Sequence, residues 1–114
     1  MLFRSMIAHV VIGTSTAGDN TLVAGITGNK IQVIQFGVNA EASQKIQFKS
    51  GATAITGQIE VNNDFWVSAS APVSSYQTIN HIIETSSGQS LIINLTQAKY
   101  VGGFLSYRIV PDTM

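Results

Sequence analysis

The chain has 114 residues, no cysteine, and six basic residues balanced by six acidic ones. This length suits one domain with its own core, and the neutral balance provides no charged surface for a nucleic acid or an anionic membrane. Without a thiol there are no disulfides, no thiolate metal sites and no cysteine nucleophile. The charged fraction is 11%, under half of the roughly 25% usual in soluble domains, so the surface is poorly protected against association.

The first 13 residues, MLFRSMIAHVVIG, combine a basic residue with a short apolar run. His9 interrupts that run, so we interpret the segment as a first strand rather than a signal peptide. Residues 1–13 could therefore form an extra strand, or an N-terminal arm that reaches a neighbouring molecule.

The rest of the sequence lacks the periodicity of amphipathic helices, and β-branched residues cluster in short runs between turn signals. Such runs, spaced roughly 8 to 12 residues apart, are typical of sandwiches and small barrels. We predict an all-β fold over residues 1–114: a single-domain antiparallel β-sandwich, jelly-roll-like, with about 8–9 strands. The predicted strands are 3–12, 21–26, 30–39, 44–49, part of 54–61, 65–71, 77–84, 89–96 and 100–110.

Alternation along each strand predicts which side chains face the core. Ile46 and Phe48 are expected inside. Phe65 and Val67 are expected to share the core face of their strand, which leaves Trp66 outside.

The same alternation places three more large side chains, Ile92, Tyr100 and Phe104, on outward faces. Large aromatic residues anchor protein interfaces, and the cores of interfaces are depleted of charge. Trp66, Ile92, Tyr100 and Phe104 are therefore candidate contact residues.

In the stretch KIQVIQF the alternation slips, because Ile31 and Val33 have one parity while Ile34 and Phe36 have the other. Either a bulge lies near Val33 or both faces of the strand are covered. Coverage by a neighbouring subunit would explain the slip and the missing charge together. We favour that interpretation, and it adds Ile34 and Phe36 to the candidate interface.

The sequence offers little for catalysis. His9 and His81 lie in apolar strand runs, where a structural role is the ordinary expectation, and Glu84 follows His81 by three residues, which in a strand places the two on opposite faces. The six carboxylates are scattered, and the sequence contains no nucleophile elbow and no phosphate-binding glycine motif. We expect no catalytic residue, no cofactor, no metal site and no enzymatic activity.

Three stretches carry a family resemblance: GDNTLVAGITGNKIQVIQF, then IQFKSGATAITGQIEV, then GQSLIINLTQAKYVGGFLSYRIV. Their order resembles that of small β-sandwich virion structural proteins of tailed bacteriophages, of the capsid decoration, or cement, type. The resemblance implies a jelly-roll-like module that binds the outside of the head and braces neighbouring major capsid proteins, often as a homotrimer. It also implies synthesis in the cytoplasm of the bacterial host and a final location in the virion.

Two alternatives remain open. The outward aromatic residues would also suit a tail or fibre module that binds a glycan or a receptor, because exposed rings form stacking platforms for sugars. A small enzyme is the less favoured alternative, since no nucleophile and base can be paired.

Overall fold

The computed structural model describes residues 7–71 and 80–112, which fold into two antiparallel sheets. Sheet A has the strand order β1-β10-β3-β7, with β8 also paired to β3. Sheet B has the order β2-β9-β4-β5, with β6 also paired to β4. The strands are β1 (Ala8–Thr14), β2 (Gly18–Val23), β3 (Asn29–Ala40), β4 (Gln44–Ser50), β5 (Thr53–Ala54), β6 (Ile59–Val61), β7 (Val67–Ser70), β8 (Ile83–Glu84), β9 (Leu91–Leu95) and β10 (Val101–Pro111).

The strand pairs are nested, which is the pattern of a jelly roll. The first strand pairs with the last, β2 pairs with β9, β3 with β7 and β8, and β4 with β5 and β6. The first four strands, β1 to β4, alternate between the two sheets. The predicted antiparallel, jelly-roll-like sandwich is therefore confirmed.

The described residues form ten strands rather than the eight or nine predicted, because the predicted strand over 54–61 is divided into β5 and β6. The first predicted strand, 3–12, corresponds to β1, and residues 1–6 lie outside the described part of the chain. The first three residues of the predicted strand over 77–84 also fall outside it, and of its described residues 80–84 the last two form β8.

The core fills the space between the two sheets. Along β4 the predicted alternation is confirmed, because Ile46 and Phe48 are fully buried while Lys45 is exposed. The ring of Phe48 meets that of Phe36 from sheet A, with 4.9 Å between the ring centroids. The largest fully buried side chains in the described part of the chain are Ile12, Ile31, Val33, Val38, Ile46, Phe48, Val61, Leu91, Ile93, Leu95, Val101 and Leu105.

A bulge in β3 explains the slip in its alternation. Ser106 of β10 lies opposite Gln35, but the next residue, Tyr107, lies opposite Val33, so Ile34 has no partner in that ladder. Because of this extra residue, the side chains that face the core have odd residue numbers up to Val33 and even residue numbers from Phe36 onward. The favoured interpretation, coverage by a neighbouring subunit, is therefore not needed, and Phe36 is a core residue.

The described residues contain no helix that is both long enough and apolar enough to cross a membrane.

Candidate functional site: an aromatic surface on sheet A

The outer face of sheet A carries a row of side chains that points away from the core. The strand register aligns Val11 with Phe104, Phe104 with Gly37, and Gly37 with Ser68. Val11 is 80% exposed and Phe104 is 43% exposed. This row places two large apolar side chains on the outer face.

Glycines in this face make room for aromatic rings. A Cβ atom on Gly37 would lie 2.7 Å from Cε1 of Phe104, so the ring covers that glycine. The ring of Tyr100 covers two others, because Cβ atoms on Gly102 and Gly13 would lie 2.9 Å from its Cε2 and 3.1 Å from its hydroxyl oxygen. Both rings therefore rest on the sheet and leave part of their surface exposed.

The loop between β6 and β7 adds two more aromatic residues at the same end of the sheet. Phe65 and Trp66 are 58% and 59% exposed. The side-chain amide of Asn39 in β3 donates to the carbonyl oxygens of Asn62 and Phe65, at 3.0 and 3.1 Å. These bonds hold the loop against the end of sheet A.

At the same end of the sheet, hydrogen bonds also link the residue before β10 to the residue after β3. The backbone N–H of Tyr100 donates to the carboxylate of Glu41 at 2.6 Å, and the N–H of Glu41 donates to the carbonyl of Tyr100 at 2.9 Å. Below, the term aromatic surface means the exposed side chains of Val11, Phe65, Trp66, Tyr100 and Phe104. The hydrogen bonds described above hold the backbone of Phe65 and of Tyr100 in place.

Farther along this outer face, the described residues include a hydrogen-bonded polar group. In the middle, the hydroxyl group of Ser106 lies 2.7 Å from Nδ1 of His9. Farther along, Nε of Arg108 donates to the Gln32 side chain, which itself donates to the Glu84 carboxylate, each at 2.7 Å. Apolar surface is thus concentrated at one end and a hydrogen-bonded charged network at the other.

The pKa of Glu84 lies below its ordinary value, mainly because the Gln32 amide stabilises the carboxylate, with smaller contributions from Lys30 and His81. His81 Nε2 is 3.8 Å from Glu84 Oε2. The expectation that these two side chains lie on opposite faces is wrong, because β8 begins at Ile83 and strand alternation does not extend back to His81.

The outer face of sheet B has a different character. Lys49 on β4 forms an ion pair with Asp19 on β2 at 3.0 Å, so its side chain crosses the intervening strand β9. Asn94 also donates to Asp19, and this bond, followed by those from Lys49, lowers the pKa of that carboxyl group. Polar and ionic groups therefore dominate this face.

Ile92 shows why alternation alone does not identify a contact residue. It points outward from β9, as predicted, and lies directly opposite Lys49 in the ladder. It is nevertheless only 7% exposed. Its ladder partners on the two neighbouring strands are Thr21 and Lys49, and Lys49 reaches over β9 to Asp19. The prediction that Ile92 contributes to a contact surface is wrong.

The structure therefore divides the six predicted contact residues. Trp66, Tyr100 and Phe104 are exposed and lie at one end of sheet A, whereas Phe36 and Ile92 are buried. Ile34 is half-buried at the bulge of β3, where its carbonyl accepts a hydrogen bond from the N–H of Ala71 at 2.8 Å.

Sequence reasoning missed two members of the aromatic surface. Phe65 was expected in the core, and that expectation is wrong because β7 begins only at Val67. Val11 lies in an apolar run in which alternation does not show which side chains face the core. The glycines in YVGGF and QFGV were the available signal, since a glycine in a strand often marks a place where an aromatic ring covers the sheet.

Within residues 7–71 and 80–112, no three His, Asp or Glu side chains are grouped in a way that could hold a metal ion. No protein-family model matches the chain, and the search of curated proteins finds no significant relative.

Proposed function

We propose that the protein is a bacteriophage capsid decoration protein, which binds the outer surface of the head through the aromatic surface and braces adjacent major capsid proteins. The observation that carries this proposal is the concentration of exposed aromatic residues at one end of sheet A. The order of motifs along the chain, which resembles such proteins, supports the same function.

The composition of the surface suits a large protein partner. Burial of apolar area contributes roughly 25 cal/mol per Å² before the costs of association are subtracted. Serine, threonine and glutamine side chains cost less to desolvate than ions do. A chain with only 12 charged residues among 114 therefore loses little when a neighbour covers its surface.

Repetition on the shell strengthens weak contacts. A homo-oligomer engages several capsid proteins at once, so modest individual affinities combine through avidity. The resemblance implies a trimer at local threefold positions, and the proposal requires only that more than one copy engages the shell together.

Substitutions in the aromatic surface test this proposal. Trp66→Ala and Phe104→Ala are expected to weaken binding to emptied heads by about ten-fold or more, because buried aromatic anchors dominate interface energies. Ile26→Ala is the matched control, since Ile26 is 49% exposed but lies in the β2–β3 loop at the other end of the sandwich. Co-sedimentation with emptied heads measures all three. Binding by Trp66→Ala and Phe104→Ala equal to that of the unmodified protein contradicts the proposal.

A glycan- or receptor-binding module of a tail or fibre is the second candidate. It is favoured by the way in which Tyr100 and Phe104 rest on glycines, since each ring keeps an outer surface on which a sugar could stack. A glycan array separates the two candidates. Binding to a defined glycan that Tyr100→Ala abolishes, together with no binding to heads, supports this second function.

A further inference from the structure

Strand β1 forms one edge of sheet A without the features that usually protect an edge. It runs without a break over Ala8–Thr14, pairs with β10 without a register shift, and contains no proline, lysine, arginine, aspartate or glutamate. Among the described residues, no strand pairs with its other side. Regular, uncharged edge strands are templates for pairing with another chain.

The other sheet edges formed by the described residues are protected. In β2 the register shifts between Thr21 and Val23, and the strand carries Asp19. The far edge of sheet A is divided between β7 and β8, which have four and two residues. The far edge of sheet B is divided between β5 and β6, which have two and three residues. Short strands, charges and bulges are the usual protection, so the contrast singles out β1.

A cleft of about 250 Å³ lies beside this edge, between β1 and β2. Its lining includes Val10 of β1 and Thr21 and Leu22 of β2, and contains no charged residue. The side chains of a strand added to β1 would alternate between the side that faces β2, where this cleft lies, and the outer face of sheet A. Strand addition combines backbone hydrogen bonds with such pockets for alternate side chains.

We propose that the added strand is β1 of a second copy of this chain, paired antiparallel around a two-fold axis at Val11. Opposite residues of an antiparallel pair point to the same face of the sheet. When the two strands are identical, opposite residues must therefore be an even number of positions apart, so the two-fold axis passes through one residue that lies opposite its own copy. Centring on Val11 pairs all seven residues of β1. It places Val10 opposite Ile12 of the second copy and His9 opposite Gly13 of the second copy.

Three features of the chain favour a second copy over another partner. The pairing places Val11, which at 80% exposure is the most exposed large hydrophobic residue described, beside its own copy at the axis. No charges meet across the new ladder, and the net charge is zero, so copies do not repel one another. The row of Val11 and Phe104 also continues across the axis, which places both aromatic surfaces on one face of a continuous sheet.

This contact gives a closed dimer rather than a trimer. A trimer requires a head-to-tail contact. In the described part of the chain, the far edges offer β1 only strands of two to four residues, and the six-residue edge strand β2 is interrupted by its register shift and carries Asp19. The inference does not depend on binding to a phage head, because the free protein is expected to dimerise. Two paired copies would present two aromatic surfaces to any repeating partner.

A disulfide at the axis tests the pairing, since the chain has no cysteine. Residues opposite each other in an antiparallel pair have Cα atoms about 4.5 to 5.5 Å apart, within the range of about 4.4 to 6.8 Å that a disulfide spans. Val11→Cys is expected to form a covalent dimer under mild oxidation at least about ten-fold faster than Ser68→Cys. Ser68 is the matched control, because it is exposed on the same outer face at the opposite edge.

Sedimentation velocity provides a second measurement. The unmodified protein and Ser68→Lys are expected to sediment as dimers, and Val11→Lys as a monomer, because a charge at the centre of an edge blocks strand pairing. A monomeric unmodified protein, an oligomer that Val11→Lys leaves intact, or equal cross-linking of the two cysteine variants overturns the proposal. A monomer that dimerises only after deletion of residues 2–6 would assign the edge to the chain's own N-terminal segment, and also overturns it.

Discussion

Glycine at three positions decides where aromatic rings can lie on sheet A. Gly13, Gly37 and Gly102 lack the Cβ atom that would otherwise occupy the space of the Tyr100 and Phe104 rings. A ring that covers a glycine shields backbone that would otherwise be exposed, and the glycine in turn fixes the position of the ring. The shape of the aromatic surface therefore depends on residues that contribute no side chain to it.

Replacing Gly37 with alanine should alter the surface while keeping every aromatic residue. The new methyl group would lie 2.7 Å from Cε1 of Phe104, so the ring must move. Because the ring is partly exposed and can turn outward, we expect a loss in the free energy of unfolding of only about 1 kcal/mol, with a clear loss of binding to emptied heads. Urea denaturation and co-sedimentation measure the two effects.

Gly57→Ala is the control for this change, because a Cβ atom on Gly57 would have no neighbour within 4 Å. Full binding to heads by Gly37→Ala would mean that the position of the Phe104 ring does not matter.

Phe36 and Trp66, both predicted contact residues, should now differ in their effects on stability. Phe36 is 6% exposed and packs on Phe48, whereas Trp66 is 59% exposed. Phe36→Ala is expected to lower the free energy of unfolding by about 3 to 5 kcal/mol, and Trp66→Ala by less than about 1 kcal/mol. Chemical denaturation provides the comparison, and similar losses for the two variants would contradict the assignment of Phe36 to the core.

At the scale of elements, strand β8 is short and depends on Glu84 for part of its attachment to β3. Glu84 accepts a hydrogen bond from Gln32 and forms an ion pair with Lys30 at 3.6 Å. Its pKa is lower in the folded protein than in the unfolded chain, so its contribution to stability is fully present above the ordinary pKa of 4.5 and is lost as the pH falls through the lowered folded value.

This linkage predicts a specific effect of Glu84→Gln. The variant should be less stable than the unmodified protein at pH 7 and should lose less stability between pH 5 and about pH 3, because it has no carboxyl group to protonate at this position. Urea midpoints across that range measure the difference. Parallel pH profiles for the two proteins would contradict the contribution assigned to Glu84.

The sequence predicts which side chains face the core where alternation along a strand is regular. It does not predict them where the pairing with a neighbouring strand changes the alternation. Ile46 and Phe48 were placed correctly, because β4 lies in the interior of sheet B and one of its faces is wholly buried. The bulge at Ile34 becomes evident only from pairing with β10, since parity alone cannot distinguish a bulge from a covered outer face.

Phe65 shows the same limit at the end of a strand. Its side chain is exposed because β7 begins two residues later, after the loop that Asn39 holds through the carbonyl oxygens of Asn62 and Phe65. Such a long-range contact leaves no periodic signal in the sequence. For Ile92, alternation gives the correct direction, but its burial depends on side chains of neighbouring strands.

At the scale of the whole molecule, the nested strand order assembles the candidate site. Val11 comes from β1, and Phe65 and Trp66 come from the β6–β7 loop. Tyr100 is the residue before β10, and Phe104 lies near the start of that strand. These segments are far apart in the chain but meet at one end of sheet A, because the first strand pairs with the last. The jelly-roll class was predictable, but the strand order that brings these residues together required the structure.

The two sheets also divide the few charges unevenly. Sheet B carries the Lys49 and Asp19 pair across its outer face, and the far end of sheet A carries Lys30, Glu84 and Arg108, whereas the outer-face row from Val11 through Phe104 to Ser68 contains no charged side chain. A low total charge thus leaves one region of the molecule suited to burial against a partner. This asymmetry predicts which region a phage head would cover.

Hydrogen–deuterium exchange of the protein bound to emptied heads tests this account most directly. The account predicts slower exchange on binding in residues 62–66 and 97–104, with no change in residues 24–28 at the opposite end or in β2 and β4 of sheet B. Protection confined to sheet B or to residues 24–28, or no binding to heads at all, would contradict it.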